Sequence, residues 1–135
     1  MKQRIGGNLL ATRSGSDIYI PDQGDIVWLN FDPQAGHEQN KRRPAIVISP
    51  MIYNNLTLHL ALVCPITSVI KRYPFEVLLP KGMKTKGAAL ADQIKSFDWK
   101  AREVAFIEKA PISVVVEITA KLKTLFPKPE ALSND

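Results

Sequence analysis

Apolar and polar positions fall into short strand-like runs through most of this chain and adopt helical spacing only after Pro111. Ile26-Val27-Trp28-Leu29-Asn30-Phe31, entered through the turn signal Asp22-Gln23-Gly24-Asp25, is β-branched and aromatic enough for a first strand, and Asp32-Pro33 ends it. Pro44 to Ser49 is an apolar second strand. The two are expected to pair as a hairpin whose long tip, residues 34–43, is of a length that usually carries function. Pro50 to Asn55 reads as one helical turn stopped by asparagines. Leu58 to Val63 reads as a third strand closed by Pro65-Ile66-Thr67-Ser68, and Phe75 to Leu79 as a fourth. Ala88 to Phe97 reads as a strand bent or broken near Asp92, and Glu103 to Ile107 as the last. Val115, Ile118, Leu122 and Leu125 then recur at intervals of three and four, which predicts an amphipathic helix over 111–126, opened by Pro111 and stopped by Pro127-Lys128-Pro129. Short strands with one terminal helix predict a mainly β (α+β) fold, a small, curved antiparallel barrel.

Composition bounds this picture. At 135 residues and 45% hydrophobic, the chain fits one domain with a modest core, read as residues 18–127. Residues 1–17, rich in glycine and serine, and residues 128–135 are expected to be disordered tails. Cys64 lies in an apolar run and, as the single cysteine, cannot form an internal disulfide. No window approaches the roughly 20 apolar residues of a membrane span, so a cytoplasmic protein is expected. Net charge is +5, but Lys2, Arg4, Arg13 and Asp17 supply +2 of it, leaving +3 for the rest. A polyanionic partner must therefore be argued from local clustering.

The densest cluster is Gly36-His37-Glu38-Gln39-Asn40-Lys41-Arg42-Arg43-Pro44, one imidazole, one carboxylate and three cations running into the second strand. Arg43 precedes proline and is pushed to extended backbone, so it is held more stiffly than the loop before it.

These pieces resemble the MazF/PemK toxins, in that family's order: Pro21-Asp22-Gln23-Gly24-Asp25-Ile26-Val27-Trp28, Phe31-Asp32-Pro33, Gly36-His37-Glu38-Gln39, Arg43 to Pro50, Tyr53-Asn54-Asn55, Pro65-Ile66-Thr67-Ser68, Tyr73 to Val77 and Ala89 to Ser96. The resemblance runs from Tyr19 to about Phe126. It implies an SH3-like barrel with a C-terminal helix, assembled as a homodimer. It also implies sequence-specific, ribosome-independent cleavage of single-stranded RNA to 2′,3′-cyclic phosphate and 5′-hydroxyl ends, without metal or cofactor. A MazE-like antitoxin with a disordered acidic tail is the implied partner. Arg43 and Thr67 match the residues most tied to catalysis, and Glu38 a loop carboxylate important in close relatives. One branch of the family carries an arginine two residues before the matched Asp92, where this chain has Leu90.

Cleavage by a neighbouring 2′-hydroxyl needs a base, positive charge on a phosphorane-like transition state and an acid for the departing oxygen. Arg43 suits the charge role, since a guanidinium presents fixed donors and stays ionised. Glu38 is the candidate base, and would need partial desolvation to raise it from about 4.3. Thr67 is suited to hydrogen-bond a phosphate oxygen. His37, with an ordinary pKa near 6.5, is a candidate acid or RNA contact. Gln39, Lys41, Arg42, Ser68, Asp92, Gln93 and Lys95 are further candidates for holding RNA. Lys71, Arg72, Lys81, Lys84, Lys86 and Arg102 are additional channel cations, with Tyr73 or Trp99 for stacking; Trp28 is expected in the core and His59 in a structural role. The competing readings are a gyrase poison sharing this fold, against which stands the chain end Leu132-Ser133-Asn134-Asp135 in place of Trp-Gly-Ile, and a non-catalytic RNA-binding barrel.

Overall fold

A computed structural model describes residues 18–31 and 42–131. His37, Glu38, Gln39 and Lys41 therefore lie outside the described residues, as do residues 1–17 and 132–135. Seven strands form one antiparallel sheet: β1 (Asp25–Asn30), β2 (Arg42–Val47), β3 (Leu60–Thr67), β4 (Glu76–Leu78), β5 (Ala88–Leu90), β6 (Lys95–Asp98) and β7 (Ala105–Lys109). A short helix α1 (Met51–Leu56) separates β2 from β3, and α2 (Ile112–Lys123) follows β7. The strand order is β4-β5-β3-β2-β1-β7, with β6 also on β3. Among the described residues β4 and β7 do not pair, so the expected barrel is not closed. Pro129–Ala131 make one 3₁₀ turn inside the segment expected to be a tail.

Alternation along β2 supplies two cores. Ile46, with Ile26, Cys64, Ile66 and Val77, packs against Val114, Val115 and Ile118 of α2. Ala45 and Val47, with Val27, Leu29, Ala61 and Val63, pack on the other face with Phe97 and Trp99. Both faces of the central strands are buried, which is why these strands read as nearly continuous apolar runs. Burial pushes the Cys64 thiol up to about 12, with Asp92 adding to it, so it is a core group and no nucleophile.

The third strand was expected to close at Pro65 and instead runs to Thr67. Leu62 aims both backbone groups at the β2 side, accepting from Ile48 N–H at 2.8 Å and donating to Ser49 Oγ at 2.8 Å. By alternation Pro65 faces the opposite side, where β6 has ended opposite Val63 and β5 begins opposite Ile66. The proline's missing N–H falls in that gap and costs no ladder bond. The break expected near Asp92 is a 3₁₀ turn, Ala91–Gln93, between β5 and β6.

The two tryptophans exchange their expected places. Trp28 is 36% exposed and lies under the Arg42 guanidinium, 5.1 Å from the ring centroid. Its face is the one α2 covers, but the packed cluster there reaches Ile26 and stops short of Trp28. Trp99 is buried, its indole N–H donating to Asn54 C=O at 3.3 Å, so it offers RNA no stacking surface. His59 is structural as expected, its ring edge-on to Trp99 at 5.1 Å.

Asn54 ties α1 to the sheet. Fully buried, it accepts from Ser49 Oγ and donates to Pro21 C=O at 2.8 Å and Ser49 C=O at 3.0 Å. Asp22 holds the start of the same helix, accepting from Met51 N–H at 2.9 Å. Replacing Asn54 by alanine leaves two carbonyls without their donor and the Ser49 hydroxyl proton without its acceptor in the core, at a cost of about 2–4 kcal/mol. Urea unfolding of Asn54→Ala is expected to show a midpoint lowered accordingly; an unchanged midpoint would mean that water replaces the side chain without penalty.

Candidate active site

The row of side chains that forms one core continues past its end into a cleft. Ala45 pairs with Pro65, and carrying that register two residues further sets Arg43 opposite Thr67 on the same face of the sheet. Arg43 and Thr67 line one cleft of about 450 Å³ together with Ser68, Lys86 and Gln93, over an apolar floor of Pro44, Pro65, Ile66 and Leu90. A second cleft of about 570 Å³ adjoins it, sharing Thr67, Val69, Leu90 and Gln93 and adding Lys71, Arg72, Tyr73, Pro74 and Glu76.

Thr67 Oγ1 accepts from Val69 N–H at 3.1 Å and reaches Val69 C=O only at 3.5 Å. That second contact is long for a hydroxyl donor, so the proton is readily redirected to a phosphate oxygen. Gly87 fixes where Thr67 sits. It has φ +121°, and a Cβ there would lie 1.9 Å from Thr67 C=O. The loop carrying Lys86 therefore approaches the threonine backbone as only glycine allows. Glu108 holds the same loop, accepting from Lys84 N–H at 3.1 Å and Thr85 N–H at 2.8 Å. Desolvation pushes the Glu108 carboxyl up, but the bonds from Thr85 and Lys84 and the Lys84 charge outweigh it and hold the group below its ordinary range.

Other expected site residues are distributed differently. Arg42 points to the opposite face, over Trp28, and does not share the Arg43 cleft. Asp92 accepts the Tyr73 hydroxyl at 2.8 Å, and as acceptor and as charge raises that phenol above its ordinary value. Lys95 opens β6 opposite Val63, outside the lining of both clefts. Arg102, expected among the channel cations, donates through Nη1 to Asn30 C=O at 3.1 Å and Phe31 C=O at 2.8 Å and lies over Phe97. It clamps the chain at the end of β1. Sequence reading missed Gly87 and Glu108, although it named Lys81, Lys84 and Lys86 of the same loop as channel cations.

Chemically, the first cleft offers two cations, two hydroxyls and an amide at one point, a set that binds a phosphate. None of the described residues lining it is a carboxylate or imidazole. Among the described residues no group of three or more histidine, cysteine, aspartate or glutamate side chains could hold a metal, and no helix is long and apolar enough to cross a membrane.

The sequence model of one protein family, described as PemK-like, MazF-like toxin of type II toxin-antitoxin system, matches residues 22–126. The endoribonuclease toxin MazF of Escherichia coli (strain K12) is 52% identical over 84 residues, 62% of this chain and 74% of that protein. The endoribonuclease PemK of Escherichia coli is 33% identical over 108 residues, covering 77% of this chain and 80% of that one. Among solved structures, MazF in a MazE–MazF complex from Deinococcus radiodurans superposes with a TM-score of 0.73 at 50% identity, over 80% of this chain and 96% of that one.

Two predictions follow from the loop that carries Lys86. Gly87→Ala must move Thr67, and a displacement of about 1 Å at a reacting centre lowers kcat/KM by up to about a hundredfold. An alanine variant that acts on RNA at the wild-type rate would show that Gly87 does not set the cleft. Because the Glu108 pKa is depressed in the folded protein, its contribution is fully present above the unfolded value near 4.5 and fades as pH falls through the lower folded value. Hydrogen-exchange protection of the Lys84 and Thr85 amides should drop on that acid limb, and Glu108→Gln should abolish the pH dependence.

Proposed function

The chain belongs to the PemK-like, MazF-like toxin family of type II toxin-antitoxin systems, and on that footing we propose that it is a sequence-specific, ribosome-independent endoribonuclease that cuts single-stranded RNA. The observation that carries the reading is the placement of Arg43 and Thr67 across β2 and β3 in one cleft, beside Lys86. In this reading a scissile phosphate sits between the Arg43 guanidinium and the Thr67 hydroxyl. As the neighbouring 2′-oxygen attacks, charge grows on the non-bridging oxygens, and fixed donors stabilise that charge more than they stabilise the ground state. The ring closes to a 2′,3′-cyclic phosphate, and the 5′-oxygen leaves as a hydroxyl.

Proton transfer must come from beyond the lining of the first cleft. Arginine does not give up its proton near neutral pH. Glu38 and His37, five and six residues before Arg43, are the base and the candidate acid. Gln39 and Lys41 of the same segment, with Ser68, Gln93 and Lys95, bind the flanking strand.

The same reading brings partners with it. The relative from Deinococcus radiodurans is a complex of MazE with MazF. For this chain the corresponding partner is a MazE-like antitoxin whose acidic segment covers the cations that bind RNA, a folding-on-binding contact that silences the enzyme. The working form is a homodimer of the domain at residues 18–127, and the compartment is the cytoplasm, where the RNA is.

Incubating the protein in EDTA with a long, weakly structured RNA and mapping the 5′ ends of the fragments tests the reading. Discrete cuts at one short motif are expected, bearing 5′-hydroxyl groups. Arg43→Ala should slow them about 10²–10³-fold, the usual effect of removing one transition-state donor. RNA left whole by the wild type would sink the proposal.

A further inference from the structure

The second cleft takes no part in the chemistry described above, yet it is built as carefully as the first. At 48% exposure Tyr73 would ordinarily be a mobile surface side chain. Here its hydroxyl is held by Asp92 at 2.8 Å, and its ring lies 6.0 Å from that of Phe75. The preceding residue, Arg72, has φ +60°, the left-handed region that a non-glycine residue occupies only under constraint. The constraint is Glu76, whose carboxylate accepts from Lys71 N–H at 3.1 Å and Arg72 N–H at 3.0 Å. Glu76 N–H in turn donates to Tyr73 C=O at 2.9 Å. Beside an aromatic ring held at its hydroxyl and two neighbouring cations, a cleft of about 570 Å³ opens into the first cleft through Thr67, Leu90 and Gln93.

We propose that this second cleft is a nucleotide subsite, in which the base of one nucleotide adjoining the bound phosphate stacks on the Tyr73 ring. The proposal rests on the endoribonuclease reading for the position of that phosphate. Bases of single-stranded RNA are unstacked and available, and aromatic side chains are what they stack on. Lys71 and Arg72 are placed to meet the next phosphate along the strand. Asp92 and Glu76 are positioning residues: one fixes the ring, the other the turn that presents it. Pre-fixing them removes the ordering cost that binding would otherwise carry. Leu90, on the wall common to both clefts, gives the base an apolar edge.

The test uses binding, so that it does not depend on cutting. The probe is a 2′-O-methylated single-stranded RNA oligonucleotide, chosen from a random pool by retention on the wild-type protein and made with each position abasic in turn. Tyr73→Ala is expected to weaken binding about tenfold. One abasic position should weaken the wild type to the same extent and have no further effect on Tyr73→Ala, a coupling that a merely structural tyrosine would not give. Tyr73→Phe and Asp92→Ala should each cost less than Tyr73→Ala, and their effects should not add. Losses that add at every abasic position overturn the subsite, as does a loss in Tyr73→Ala that no abasic position reproduces. The latter pattern would assign the ring to a protein partner. Wild-type protein that shows the coupling but leaves the corresponding all-ribose RNA intact overturns the endoribonuclease reading and leaves the subsite standing. Failure to retain any RNA overturns both.

Discussion

The pairing of β2 with β3 is the constraint on which the site depends. A strand presents alternate residues to opposite faces, so one register sets Arg43 across from Thr67, and a slip of one residue would send Arg43 to the Trp28 face. Two features pin the register. Inside the sheet, Ile46 with Cys64 belongs to the core under α2, whereas Ala45, Val47 and Val63 belong to the other core, so a slip of one residue would turn the side chains of one strand away from the core they fill. Beyond the end of β2, Ile48 N–H and Ser49 Oγ both bond to the backbone of Leu62. The geometry at Arg43 is thus fixed partly by a polar network at the far end of the same strand.

A second pattern concerns where the negative charge goes. Five of the described carboxylates accept from backbone amides: Asp22 from Met51 and Gln23, Asp25 from Asp22, Glu76 from Lys71 and Arg72, Asp98 from Lys100 and Ala101, and Glu108 from Lys84 and Thr85. Two of these five hold the very loops that bring Lys71, Arg72 and Lys86 to the clefts. The acidic groups stabilise the turns by accepting from their backbone amides, and the basic groups of those turns line the clefts. A modest net charge of +5 is in this way compatible with a strongly positive local field.

The order of the elements was legible because strands, turns and the terminal helix each have a distinct period, and the break near Asp92 followed from polar residues interrupting an apolar run. Trp28 and Trp99 were not legible. Which strand face is covered depends on how far α2 extends across it, and that is a property of packing rather than of local pattern. Pro65 was misread as a strand end for a related reason: it is tolerated because two different strands meet opposite it, a circumstance fixed by topology. Arg102 looked like a channel cation because nothing in Lys100-Ala101-Arg102 shows that its guanidinium will clamp the carbonyls of Asn30 and Phe31. Arg43, Thr67, Ser68 and Gln93 were found from motif resemblance, and the fold brings all four to one cleft.

Under the proposed reaction, the lining of that cleft implies a division of the chemistry. Rigid strands supply charge and hydrogen-bond donors, and among the described lining residues no carboxylate or imidazole is present to move a proton. The segment carrying Glu38 and His37 enters from Phe31, whose carbonyl Arg102 clamps, and leaves through Arg42 at the start of β2. On the proposed reading, charge stabilisation is therefore built into the sheet, while the candidate acid–base groups belong to a separate piece of chain joined at both ends to it. Leu90 sharpens the division: where one branch of the family places an arginine, this chain has an apolar side chain on the wall between the two clefts. Arg43 is then the one guanidinium among the described residues lining the first cleft, with Lys86 as its partner cation. On the proposed reading, stabilisation of the transition-state charge falls chiefly on a residue whose position is set by strand register.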